Sequence, residues 1–139
     1  MTRFVLDASV ALRWFLSSPV PAYARRVRRL MLGGARAVVP ALWHLEMANG
    51  LAVAERRGIV SAADADLSLI DIEGLLGQAI EIDPALVSVR QALTTARTFH
   101  LSAYDAVYLD LARRERLPLA TLDEDLRSAA APAGVALIR

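Results

Sequence analysis

The stretch Arg3–Leu16, RFVLDASVALRWFL, decides how the chain is read. Arg3–Leu6 is a four-residue apolar run of the kind found in buried strands, and Asp7 stops it. Ser9–Leu16 then continues as a short apolar helix. The same alternation runs onward. Further strand-like runs are expected at Ala37–Val39, Ala79–Ile82, Leu119–Leu122 and Val135–Ile138. Helices are expected at Ala22–Leu32, Leu42–Arg57, Ala62–Leu76, Ala85–Phe99, Ala103–Glu115 and Glu124–Ala131. Ser61, Ser102 and Asp123 stand where N-caps belong, and Asp83-Pro84 reads as a cap followed by proline in the first turn. Strands alternating with helices predict an α/β fold: a mostly parallel sheet of about five short strands, helices on both faces, one domain over residues 1–139. In such sheets ligands bind beyond the carboxyl ends of the strands.

Composition narrows the chemistry. The chain has 139 residues, 55% of them hydrophobic, which suits one folded domain and excludes general disorder. It has no cysteine, which removes disulfide frameworks, Cys-ligated zinc and thiol nucleophiles together. No apolar run approaches the ~18 residues of a membrane span, and Asp7 and Arg13 interrupt the N-terminal apolar stretch where a signal peptide is unbroken. A cytoplasmic protein with no membrane contact is expected. The net charge of +1 lacks the strongly basic footprint of many nucleic-acid binders. All 16 basic residues are Arg; with no Lys present, chemistry that depends on a lysine is excluded.

Four acids stand out. Asp7 and Asp123 each end a strand and open a helix, which is also where a plain N-cap would sit. Glu46 has Leu42, Trp43, Asn49 and Gly50 at helical spacing and no Arg in reach; it is either a site residue or an exposed acid at the edge of an apolar stripe. Asp105 has Leu101, Ser102, Tyr108 and Leu109 around it, and Ser102-x-x-Asp105 also reads as a capping box. Asp110, with Arg113 and Arg114 at i+3 and i+4, reads as a surface ion pair. If Asp7, Glu46, Asp105 and Asp123 meet at the sheet rim, their mutual repulsion calls for a positive charge. A divalent cation such as Mg²⁺ or Mn²⁺ suits an all-oxygen set, and such ions serve in-line phosphoryl displacement.

Four segments then carry a resemblance. FVLDASVALRWFL, VVPALWHLEMANGL, HLSAYDAVYLDLA and LATLDEDL, in this order, resemble the four motifs of PIN-domain ribonucleases of the VapC toxin type. The resemblance implies the three-layer fold of that family, with Asp7, Glu46, Asp105 and Asp123 as catalytic and metal-binding acids. It implies Ser9, Asn49 and Thr121 as polar supports, and Asp125 as an additional acid or a substitute for Asp123. It further implies Mg²⁺- or Mn²⁺-dependent endonucleolytic cleavage of RNA to 5′-phosphate and 3′-hydroxyl ends, a cognate antitoxin whose tail covers a groove near the acids, and a homodimer.

The remaining charged and aromatic residues weigh less. Arg25, Arg26, Arg28 and Arg29 form a basic run in which Arg25 and Arg29 share a face; they either contact RNA phosphates or form a solvated helix face. Arg13, near the Asp7 end, is a further candidate for RNA contact. His44 and His100 are expected to be satisfied structural residues, and Trp14, Phe15 and Trp43 core or interface aromatics. Two competing readings use the same acids: a phosphoacceptor domain with strand-end aspartates, and a non-catalytic binding module whose acids only cap helices or dock a basic peptide. The first normally needs a Lys near the phosphoryl group.

Overall fold

The computed structural model describes residues 2–139. The described residues form four strands, β1 (Arg3–Leu6), β2 (Arg36–Val39), β3 (Ile80–Ile82) and β4 (Leu119–Ala120). Seven helices flank them: α1 (Ala8–Leu16), α2 (Ala22–Leu32), α3 (Leu42–Arg56), α4 (Ala62–Gln78), α5 (Val89–Phe99), α6 (Ala103–Glu115) and α7 (Glu124–Ala130). The strands make one parallel sheet in the order β3-β2-β1-β4, as an α/β reading requires.

Burial explains the sequence of the central strand. Phe4, Val5 and Leu6 of β1 are fully buried, so the strand is continuously apolar instead of alternating. Around it pack Val38 and Val39 of β2, Trp43 and Met47 of α3, and Tyr108, Leu109 and Leu111 of α6. At Gly50 α3 comes so close to α1 that a Cβ would stand 2.5 Å from Leu12 Cδ2. Serine side chains accept the first-turn N–H groups of three helices: Ser61 from Asp64, Ser88 from Gln91 and Ser102 from Asp105. Caps of this kind contribute roughly 1 kcal/mol each. Among the described residues, no helix is long and apolar enough to cross a membrane.

Three local expectations are corrected. The fifth strand, Val135–Ile138, is reduced to a single bridge between Leu137 and Leu119, with the Leu119 N–H donating to Ala136 O and the Ile138 N–H to Leu119 O, each at 2.9 Å. The strand expected over Leu119–Leu122 ends at Ala120, because the Leu122 and Asp123 N–H groups turn away to the hydroxyls of Ser9 and Thr121. The helix expected from Ala85 begins only at Val89. Asp83 does not cap it, since its carboxylate accepts the Arg114 guanidinium at 2.6 Å, and Ser88 takes the cap position instead.

Candidate active site

The chain leaves β1 to lay β2 and β3 on one side and returns to lay β4 on the other. The crevice between β1 and β4 is therefore the topological switch point, where ligand sites of open α/β sheets form. Asp7 follows β1 directly and Asp123 lies three residues past β4. The Asp7 N–H donates to Ala120 O at 3.0 Å, which ties the two strand ends together.

Asp7 is 3% exposed and Thr121 wholly buried. The Ser9 and Thr121 hydroxyls both donate to Asp7 Oδ2 at 2.7 Å. Each hydroxyl has a single proton, so each is left to accept: Ser9 Oγ takes the Leu122 N–H and Thr121 Oγ1 takes the Asp123 N–H, both at 3.0 Å. Thus the backbone after β4 is fixed against the carboxylate after β1. Although Asp7 stands at the N-cap position of α1, its side chain makes no capping hydrogen bond. Asp123 is in part the bland alternative: its Oδ2 accepts the Leu126 N–H at 2.9 Å and caps α7.

Glu46 comes in from α3, and Tyr108 of α6 holds it, donating to Glu46 Oε1 at 2.6 Å. Burial, with the nearby Asp7 charge and the Glu46 bond, pushes the Tyr108 hydroxyl well above its ordinary pKa, so it remains a donor. Tyr108 was not singled out from the sequence. Its signal is there: it lies three residues after Asp105, on the same helix face, and a buried tyrosine needs a polar partner. Arg127 of α7 adds a second unforeseen support, donating to Thr121 O at 2.7 Å while lying over the Tyr23 ring.

Three of the four acids have raised pKa values. For Asp7, burial raises it against the pull of the Ser9 and Thr121 hydroxyls, and the Asp123 charge adds to the rise. For Glu46, burial raises it, the Tyr108 hydrogen bond opposes, and Asp7 adds. For Asp105, burial and then the charges of Asp123, Asp7 and Glu46 push it up to about 6. The four carboxylates therefore act on one another across a single crevice, and among the described residues no Arg forms an ion pair with any of them. Hard oxygen donors with unrelieved mutual repulsion fit a divalent cation. Among the described residues, no three His, Cys, Asp or Glu side chains are arranged as a ready cage. The set suits a hard divalent cation that is held through one or two carboxylates and keeps water.

The other predicted residues divide. Asn49 is exposed, and Glu46 takes its hydrogen bond from Tyr108 instead. Asp125 is exposed and lines a separate hollow with Thr98 and His100. Arg13 lines a groove that also contains Asp123. Arg25 lines a different hollow beside Trp14, and Arg29 is exposed. Arg26 and Arg28 lie over the rings of Tyr23 and Trp14, which gives half of the basic run a packing role. Trp43 is a core residue as expected. Two readings are corrected. Asp110 is no surface ion pair: it accepts from Thr95 Oγ1 at 2.6 Å, and Arg114 has gone to Asp83. His44 is not fully satisfied: its ring packs edge-on against Trp43, and among the described residues its buried Nδ1 has no hydrogen-bond partner.

A family model described as PIN domain matches residues 4–132. Similar solved structures include the crystal structure of PAE2754 from Pyrobaculum aerophilum, 21% identical over 92% of this chain and 84% of that one, with a TM-score of 0.68. Another is a PilT N-terminus domain protein, SSO1118, from the hyperthermophilic archaeon Sulfolobus solfataricus P2. It is 18% identical over 99% of this chain and 86% of that one, with a TM-score of 0.46. At 21% identity the first supports the fold alone. No curated protein matches the sequence.

Proposed function

The chain belongs to the PIN-domain family, whose members are typically nucleases, and from that premise we propose that it is a Mg²⁺- or Mn²⁺-dependent endoribonuclease acting as the toxin of a toxin–antitoxin pair. The observation that carries the nuclease reading is the convergence of Asp7, Glu46, Asp105 and Asp123 on the β1–β4 crevice, where their charges act on one another and, among the described residues, no cation pairs with them. A divalent cation, if bound there, would supply the positive charge that an in-line phosphodiester displacement needs. One or two of the carboxylates of Asp7, Glu46, Asp105 and Asp123 would hold it, with water completing its shell. Ser9 and Thr121 fix Asp7, Tyr108 fixes Glu46, and the Asp123 cap on α7 keeps that acid at the rim.

The toxin role, the cognate antitoxin and a homodimer are proposed on the likeness of the four sequence motifs. The nuclease reading is tested with purified protein, single-stranded RNA and Mg²⁺. The Asp105→Asn protein is expected to lose about two orders of magnitude or more in rate, the scale of removing a group that stabilises transition-state charge. Cleavage at the wild-type rate by that variant would sink the assignment. The toxin role is tested by inducing expression and sequencing RNA ends. Growth arrest with defined new 5′ ends, reversed by the product of a short adjacent gene, is the expected result.

A further inference from the structure

The peptide unit between Thr121 and Leu122 is held at both ends. Its N–H donates to Ser9 Oγ at 3.0 Å, and its carbonyl accepts Arg127 Nη1 at 2.7 Å. A peptide unit is planar, so fixing these two groups fixes how it is turned. The acids depend on that turn from both sides. Ser9, which takes the N–H, donates its own proton to Asp7 Oδ2. Thr121, which carries the carbonyl, donates to the same oxygen and accepts the Asp123 N–H. Among the described residues, Arg127 is the one donor that the Thr121 carbonyl receives.

Arg127 is itself held from outside the site. Its guanidinium carbon lies 5.1 Å from the centre of the Tyr23 ring of α2. The Tyr23 hydroxyl donates to Ile138 O at 2.8 Å, and the Ile138 N–H donates to Leu119 O of β4 at 2.9 Å. The ring that holds the guanidinium is thus anchored to the same strand whose end the guanidinium fixes. Among the described residues Arg127 pairs with no carboxylate, so its charge is directed at a carbonyl and a ring and not at the acids. Arginine suits that double task, because its flat guanidinium donates in its plane and offers a face to a ring. We infer that Tyr23 and Arg127 are positioning residues of the acid site: from α2 and α7 they set the turn of the Thr121–Leu122 peptide and, through it, the placement of Asp7 and Asp123 against each other. The inference rests on the nuclease reading above for what the acids do, and adds to it two residues that act at one remove.

Two readouts test it. The first needs no metal: amide hydrogen exchange in chelator, followed by NMR. Arg127→Met is expected to speed exchange at Leu122 and Asp123 roughly tenfold, the scale of losing one hydrogen bond to a charged group, and to leave Val5 and Leu6 of β1 unchanged. The second is Mn²⁺ affinity by electron paramagnetic resonance, expected to weaken roughly tenfold in the same variant, the lower end for groups that orient metal ligands. Tyr23→Leu, at a half-buried position, is expected to move both readouts the same way, and carries the test if Arg127→Met does not fold. The double variant is expected to be no worse than Arg127→Met, because the two residues act in series. Arg127→Lys keeps the charge without the flat face and is expected to restore neither readout in full. Wild-type exchange at Leu122 and Asp123 in Arg127→Met, or exchange that speeds equally in β1, overturns the positioning role. So does faster exchange with wild-type Mn²⁺ affinity, or an Arg127→Lys protein that matches the wild type. Each of these leaves the nuclease reading standing. A wild-type protein that binds no Mn²⁺ overturns that reading instead, while the exchange rates still decide whether the pair fixes the peptide.

Discussion

The Thr121 hydroxyl is committed twice, donating to Asp7 Oδ2 at 2.7 Å and accepting the Asp123 N–H at 3.0 Å, in a position with no solvent exposure. No water can replace it. Thr121→Val keeps the shape, takes one donor from a buried carboxylate and orphans an N–H. Unfolding in urea is expected to show a loss of about 1–3 kcal/mol. Tyr108 differs, because its partner Glu46 is only half-buried and can recover a water. Tyr108→Phe is therefore expected to cost little stability. Its effect falls on the orientation of Glu46, and the apparent Mn²⁺ affinity is expected to weaken roughly tenfold, the lower end for groups that orient metal ligands. Mn²⁺ titration followed by electron paramagnetic resonance separates the two effects. An unchanged affinity in the Phe variant would reduce Tyr108 to a packing residue.

At the level of elements, α1 and α3 meet through one glycine. A methyl at Gly50 would stand 2.5 and 2.8 Å from the two Leu12 Cδ atoms. Those atoms end a flexible, partly buried side chain, so Gly50→Ala is expected to cost about 1 kcal/mol in urea unfolding, the low end for overpacking. A measured gain in stability would mean that Leu12 moves aside freely. The legibility of the elements follows the same local logic. β1 was legible because a strand buried on both faces is continuously apolar, and α6 because Ser102 caps it. The start of α5 was not, because Asp83-Pro84 is a good local cap whose carboxylate is claimed by Arg114, thirty-one positions away. The end of β4 was hidden for the same reason, its next N–H groups being claimed by hydroxyls of the site. Of the site itself, strand-end position pointed to Asp7 and Asp123, and helical neighbours without a cation pointed to Glu46 and Asp105. Tyr108 and Arg127 act only through the tertiary fold, and no pattern along the chain marks their partners.

Across the whole molecule, the crevice stores a cost that pH and metal both report. Asp105 titrates at about 6 in the folded protein against an ordinary value of 3.8, chiefly from burial and the neighbouring acids, and Asp7 and Glu46 are raised as well. The folded state thus binds more protons than the unfolded state between those values, and stability falls as pH rises through that window. The contribution is fully present below the unfolded value and lost above the folded one. Asp105→Asn removes this titration and keeps the shape. In chelator near pH 7.5, the Asn variant is expected to melt at a higher temperature than the wild type, and the gap is expected to close near pH 4. Millimolar Mn²⁺ near pH 7.5 should reverse the order, raising the wild-type melting temperature by mass action and the variant's far less. Thermal melts of both proteins under the three conditions are sufficient. Parallel curves for the two proteins at all pH values in chelator would show that Asp105 is solvated as an ordinary surface acid. They would also remove the electrostatic reason for a cation at this site.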